Sequence, residues 1–262
     1  MRPDEEQGSY DHGRWCRMNE EFNDARLASI YDAVNPWGED EDFYLSLPRN
    51  GNVSILDLGC GAGRLACAYA SEGHDVLGAD PAAAMLDTAR AREWGDQVEW
   101  VHSNAQSFRS ERRFDLIVMT GHAFQFLHTD QDIEAGLSTM KRHLAPGGRV
   151  VFETRNPLAR VWSNWTAENL VTIAIESEDK VDVWATVEEE DGDFVRFKMH
   201  YLFERTQEKL VSNNTLRFLG RAALEAHLGR AGLQLEQLLG DWNSEPFSPS
   251  SPEMIVVASS VS

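Results

Sequence analysis

The segment Val53-Ser-Ile-Leu-Asp-Leu-Gly-Cys-Gly-Ala-Gly63 constrains this chain more than any other stretch, because an apolar run of strand length passes directly into three closely spaced glycines. Gly59, Gly61 and Gly63 permit a tight turn, and their missing Cβ atoms let the backbone come close to a ligand. A strand, a glycine-rich turn and a helix in that order open an α/β sheet, whose ligands bind beyond the carboxyl ends of its strands. Downstream, short apolar runs alternate with amphipathic segments, the pattern of parallel strands joined by crossover helices. Strands are expected at Val53–Leu58, Asp75–Asp80, Val98–His102, Phe114–Thr120 and Gly148–Thr154, and helices at Arg64–Glu72, Ala82–Glu93 and Asp130–His143. Ala145-Pro-Gly-Gly148 stops the last helix and supplies the turn before its strand.

The flanks follow other periods. Residues 1–18 are polar, lack a hydrophobic repeat and are expected to be disordered. Residues 19–50 read as a helical cap: Phe22, Leu27, Ile30, Tyr31 and Val34 recur at helical spacing until Asn35-Pro36 ends the helix, and Asp40–Leu47 forms a second. The main α/β core of the chain is assigned to 51–169 and 219–262, interrupted at 170–218 by an antiparallel β insertion. There Val181, Val183, Ala185 and Val187 alternate with polar or exposed-type residues, and Asp191-Gly192 supplies a hairpin turn. Arg221–Ala231 then reads as a helix with Gly232 after it, and Leu233–Leu239 and Met254–Ser260 as a closing pair of strands.

Charge and cysteine usage narrow the function classes. With 43 acidic against 24 basic side chains, the formal net charge of −19 repels phosphate backbones and anionic lipid, so neither nucleic acid nor a membrane is an expected partner. Cys16, Cys60 and Cys67 are odd in number and lack metal-ligand spacing, which reads as reduced thiols in a soluble, cytoplasmic protein. No metal site is assigned: Asp130 and Asp132 flank a helix start, as capping alone requires.

The glycine turn departs from the dinucleotide fingerprint GxGxxG, since its third glycine comes one residue early and Arg64 stands where that pattern has glycine. An acid, Asp57, precedes the loop, which suits a cationic ligand group better than a pyrophosphate. Asp80 ends the next strand, where a carboxylate can accept two hydrogen bonds from a ribose diol or simply cap the following helix.

Taken together, Asp57–Gly63, Gly78-Ala-Asp80, Ala84-Met85-Leu86, the strand Phe114–Met119 and Leu144-Ala-Pro-Gly-Gly-Arg149 resemble the class I S-adenosylmethionine-dependent methyltransferases, in their small-molecule branch. Thr215-Leu-Arg-Phe218, Ala231-Gly232-Leu233, Gly240-Asp241 and Ile255-Val-Val257 look like that family's closing helix and hairpin. The resemblance implies a Rossmann-like, seven-stranded, mostly parallel sheet with helices on both faces and its last strand antiparallel. It also implies that Asp57, Gly59 and Gly61 meet the methionine part of S-adenosylmethionine, with Cys60 and Gly63 in the same loop, and that Asp80 meets the ribose. Pro81 and Met85 would line the adenine, beside Asn104-Ala105-Gln106, where Asn104 replaces the family's usual Asp. Thr120 would stand at the donor's edge of the fourth strand.

Methyl transfer chiefly requires alignment of a nucleophile and exclusion of water. His122 follows the fourth strand and can take a proton from a hydroxyl or amine acceptor, or merely shape the pocket. Glu153, Arg155 and Asn156 read more simply as a solvated loop end than as substrate contacts, and Trp162 and Trp165 as packing. The expected function is methyl transfer to an O, N or C atom of a small molecule. The alternatives are a cofactor-binding protein of the same fold without methylation activity, a nicotinamide oxidoreductase, or a methyltransferase on RNA or protein. The insertion is expected to be a lid over the acceptor or the arm of a homodimer, because its aromatics Trp184, Phe194, Phe197, Tyr201 and Phe203 exceed what a small ribbon can cover.

Overall fold

A computed structural model describes residues 22, 24–48, 51–175 and 179–261. The expectation of disorder over residues 1–18, and Cys16 with it, lies outside these. The first complete elements among the described residues are helix α1 (Ala25–Val34), whose N-cap Asp24 accepts a hydrogen bond from Arg26 N, and α2 (Glu39–Leu45). There follow β1 (Ser54–Leu58), α3 (Arg64–Ser71), β2 (Asp75–Asp80), α4 (Ala83–Ala91), β3 (Glu99–His102), β4 (Phe114–Met119), α5 (Asp130–His143) and β5 (Leu144–Arg155). After β5 come β6 (Val171–Ala174), β7 (Lys180–Asp191), β8 (Phe194–Phe203), β9 (Lys209–Arg217), α6 (Arg221–Ala231), β10 (Leu233–Leu239) and β11 (Glu253–Ser260).

Seven strands form one sheet in the order β10-β11-β5-β4-β1-β2-β3. β11 runs antiparallel to both β5 and β10, and the pairings among the first five strands are parallel, so the Rossmann-like fold expected from the sequence is the one observed. Successive residues of a strand point to opposite faces, and in a sheet covered on both sides each face is apolar. Along β1, Leu56 and Leu58 therefore join the cluster under α5 and α6 with Ile133, Leu137, Leu224 and Leu228. Ile55 turns to the opposite face and packs with Leu65, Ala66 and Tyr69 of α3 and with Tyr44 of α2. Asp57 has the parity of Ile55, which puts a carboxylate at the end of an otherwise apolar row.

β5 starts four residues earlier than expected. Ala145-Pro-Gly-Gly148 is an irregular extension of the strand rather than a free turn: Leu144 pairs with Phe114, and the register then shifts before Arg149 pairs with Leu116. Gly148 is required there, since a Cβ on it would lie 2.9 Å from the Phe114 carbonyl oxygen.

The insertion is a separate antiparallel sheet of four strands, β6-β7-β8-β9, wider than the ribbon its alternation suggested because Val171–Ala174 adds a short edge strand. Val181 and Val183 of β7 and Tyr201 of β8 bury against Leu27 and Ile30 of α1. Val195 and Phe197 bury with Trp162, Leu216 and Phe218, against Phe126 and Trp165. Trp184 instead stacks on His200 with ring centroids 4.8 Å apart. α1 is thus wedged between two bodies, for Ala28 packs on Ala62, Ala82 and Met85 of the main domain. Ion pairs fasten the same side: Arg92 of the core reaches Asp32 of α1, and Arg64 reaches Glu41 of α2.

Candidate functional site

The carboxyl ends of β1, β2, β4 and β5 converge at one edge, where the glycine turn leaves β1. Gly59, Gly61 and Gly63 all have positive φ, at 89°, 52° and 75°, the left-handed region that excludes most side chains. The three are not equivalent. A Cβ on Gly63 would lie 2.5 Å from the Trp100 ring and 2.7 Å from Ala89, so Gly63 serves the packing of α3 against β3 and α4. A Cβ on Gly61 would meet no protein atom within 4 Å. Cys60 is buried, and burial followed by the nearby carboxylates Asp57 and Asp80 pushes its thiol well above the usual range, so it is an inert wall.

Asp57 is 1% exposed and its Oδ1 has no hydrogen-bond partner among the described residues. Burial, then the charges of Asp80 and Glu153, raise its pKa to about 7. Asp80 stitches the loop: Oδ2 accepts from Gly61 N at 2.9 Å and Oδ1 from Ala82 N at 2.7 Å. It therefore holds the start of α4, and each oxygen keeps a further lone pair. Burial raises its pKa as well. Pro81 is exposed and its carbonyl lies 2.8 Å from His102 Nε2, while Met85 is buried and also lines the cavity described below. Asn104 is exposed and its Oδ1 accepts from Ser107 N and Oγ, at 2.9 and 2.6 Å, closing the turn that follows β3. Ala105 is buried and Gln106 donates to Asp132 Oδ1 at 3.2 Å. Thr120 is half-buried just past β4.

Beyond Thr120 the chain turns through Gly121 and His122, and His122 has φ 58°, an unusual conformation for a residue with a side chain. Two carboxylates hold it. Its backbone N donates to Glu153 Oε1 at 2.6 Å, and its Nε2 lies 3.1 and 3.2 Å from the two oxygens of Glu253. Glu153 is 1% exposed and also accepts from the Tyr44 hydroxyl; burial raises its pKa despite these bonds. Arg155, on the same strand, donates from Nη1 to Gln125 Oε1 at 2.9 Å. Asn156 is buried and donates to the carbonyls of Pro249 and Ser251. Glu153 and Arg155 are thus strand residues and Asn156 a structural clasp, and the expectation of a solvated loop end fails because β11 pairs along β5 as far as Arg155.

His122 and Arg155 open on a cavity of about 310 Å³ between this edge and the insertion. Tyr31 and Leu27 of α1, Phe126, Trp165, and Phe197, Met199 and Tyr201 of β8 form much of its wall. Among the described residues no cluster of three or more His, Cys, Asp or Glu side chains is placed to hold a metal.

Comparison with known proteins decides what kind of site this is. Residues 55–148, from β1 into the first part of β5, match the methyltransferase domain family. The cypemycin N-terminal methyltransferase of a Streptomyces species is 24% identical over 210 residues, which cover 80% of this chain and 84% of that one. The ubiquinone biosynthesis O-methyltransferase of Klebsiella pneumoniae subsp. pneumoniae is 34% identical over 119 residues, 44% of this chain and 48% of that one. The chain carries a class I S-adenosylmethionine-dependent methyltransferase domain. In fold, this methyltransferase is similar to an S-adenosylmethionine-dependent methyltransferase of Clostridium acetobutylicum, with a TM-score of 0.74 at 16% identity over 90% of this chain and 98% of the other.

The residues at the sheet edge fit that donor. A buried carboxylate oxygen without a partner, on Asp57, is matched in charge to an ammonium group, and the Gly61 backbone offers a face that no protein atom crowds. Glu253 is the part of the site that the sequence did not announce, since it lies just ahead of an apolar run with nothing in its spacing to mark it.

Proposed function

We propose that this methyltransferase acts on a small molecule bound in the cavity between the His122 edge and the insertion sheet, with an oxygen or nitrogen as the methyl acceptor. The observation that carries this reading is the cavity itself: about 310 Å³, walled mainly by apolar and aromatic side chains, with His122 and Arg155 at one end. Such a volume suits a small molecule rather than a folded macromolecule. The net charge of −19 opposes a nucleic-acid acceptor. The relatives include an N-terminal methyltransferase and an O-methyltransferase, in keeping with a nitrogen or oxygen acceptor.

When bound, S-adenosylmethionine supplies a methyl group made electrophilic by the sulfonium. Asp57 would pair with its ammonium, the Gly59–Gly61 backbone would lie against its methionine part, and Asp80 would accept from the ribose through its remaining lone pairs. Met85 would lie under the adenine. On the acceptor side, Glu253 fixes Nε2 of His122 as the N–H nitrogen and leaves Nδ1 with the lone pair. His122 then takes the proton that the acceptor sheds, and Glu253 stabilises the imidazolium that forms. The insertion and α1 roof the cavity and exclude water.

Incubation of the enzyme with metabolite extracts and methyl-labelled donor, followed by mass spectrometry of labelled products, tests this reading. A labelled small molecule is expected. Donor binding with no labelled product in any extract would favour the rival of a cofactor-binding protein, and label in RNA or protein would replace the small-molecule acceptor.

A further inference from the structure

The cavity is charged against the grain of the chain. Acidic side chains outnumber basic ones 43 to 24, yet among the described residues no carboxylate lines the cavity and Arg155 is the one permanently charged side chain that does. Arg155 and Glu253 are Cα partners across β5 and β11, so their side chains leave the sheet on the same face. The guanidinium is held from one side only. Nη1 donates to Gln125 Oε1 at 2.9 Å, and the fully buried Gln125 is itself fixed by donating to the Arg217 carbonyl at 3.2 Å. Trp165 flanks the guanidinium, with its ring centroid 5.9 Å from Cζ. Among the described residues this is the only hydrogen bond the Arg155 side chain makes, and it forms no ion pair. A guanidinium has five N–H donors. Burial pushes the Arg155 pKa below its ordinary value, and the charges of Glu253 and Glu153 offset part of that without occupying those donors.

A positioned guanidinium with a free fork at the end of an apolar cavity matches a planar, two-oxygen anion better than any neutral group. We propose that Arg155 anchors a carboxylate on the methyl acceptor, which makes the substrate class small acids with an apolar body. The carboxylate pairs with the guanidinium, the body packs against Trp165, Phe197 and Met199, and the nucleophilic oxygen or nitrogen is presented to His122. This rests on the reading of the cavity as the acceptor site.

The test is calorimetry in saturating S-adenosylhomocysteine with four probes: 4-hydroxybenzoate and 4-aminobenzoate, and the two corresponding benzamides. The acids are expected to bind the wild-type enzyme at least about tenfold more tightly than the amides, the usual scale of a hydrogen bond to a charged group. Arg155→Gln should bring the acids down to the amides and leave the amides unchanged, while Arg155→Lys, with the charge but not the fork, keeps part of the preference. Unchanged affinity for S-adenosylhomocysteine reports that the variants are folded. Acids that fail to bind with and without S-adenosylhomocysteine, acids no tighter than amides, or an Arg155→Gln enzyme that weakens both alike would each overturn the anchor. Failure of the underlying reading looks different and shows when the titration is repeated without S-adenosylhomocysteine: acids that then bind through Arg155, but are shut out once it is added, would mean that the cavity is not the acceptor site.

Discussion

His122 and Glu253 lie 131 positions apart in the chain and meet at 3.1 Å, imidazole to carboxylate, beside the strand ends where the glycine loop begins. Their side chains are only 17% and 12% exposed, so the contact is shielded enough to orient the ring. If His122 is the proton acceptor, His122→Asn should lower turnover on the true acceptor by about 10²–10⁴. Asn tolerates the positive φ of this position, so the fold and donor binding should persist. Glu253→Gln, which keeps the shape and loses the charge, should lower turnover by less and leave donor affinity intact. A loss of tenfold or less in His122→Asn would reduce the residue to a wall of the pocket.

The glycine loop separates into two experiments. Gly61→Val should abolish donor binding, because its side chain enters space that no protein atom occupies, while the strain of a side chain at φ 52° stays in the loop and costs the core little. Gly63→Ala should instead lower thermal stability, since its Cβ would collide with Trp100 and Ala89. Calorimetry and melting curves on both variants check this. A Gly61→Val protein that binds donor like the wild type would remove that loop from the site.

Asp57 links donor binding to pH. Its pKa of about 7 in the folded protein stands above the 3.8 of a free carboxyl. Between these values the unfolded chain has released the proton that the folded one retains, so this group makes stability fall as pH rises across that window. A ligand ammonium favours the ionised form. The rise in Tm produced by S-adenosylhomocysteine should therefore grow as pH is raised through about 7, and in Asp57→Asn it should stay flat. Parallel curves for the two proteins would show that Asp57 does not meet the ligand.

Replacement of residues 170–218 by a short Gly/Ser linker addresses the roof. Turnover should be lost, donor binding should remain, and the mass in solution should be unchanged. A change in mass would mark the insertion as a dimer arm. Wild-type turnover at unchanged mass would deny it both roles.

The fold was readable where local period and turn chemistry agree. Ile55 and Leu56 alternate faces within one strand, and Asp57, the glycines and Asp80 belong to one βαβ unit, so spacing alone carries them together. Glu253 was not readable, because its partnership depends on β11 inserting antiparallel between β5 and β10, a long-range choice absent from the run Met254–Val257. Arg155 and Glu153 were misread for the same reason: polar residues at a strand's end look solvated until a neighbouring strand extends the ladder over them. β6 was missed as a strand because its residues are mostly exposed and carry no inward face to produce a period.

α1 touches both halves of the reaction. Its Ala28 rests on Ala62 and Met85 beside the donor loop, and its Leu27 and Ile30 are sealed under the insertion sheet. A helix clamped on two sides cannot lift from one without loosening the other. On the proposed function, any opening that moves α1 therefore disturbs the donor and acceptor ends of the site together, the kind of coupled step that governs turnover in many enzymes with lids.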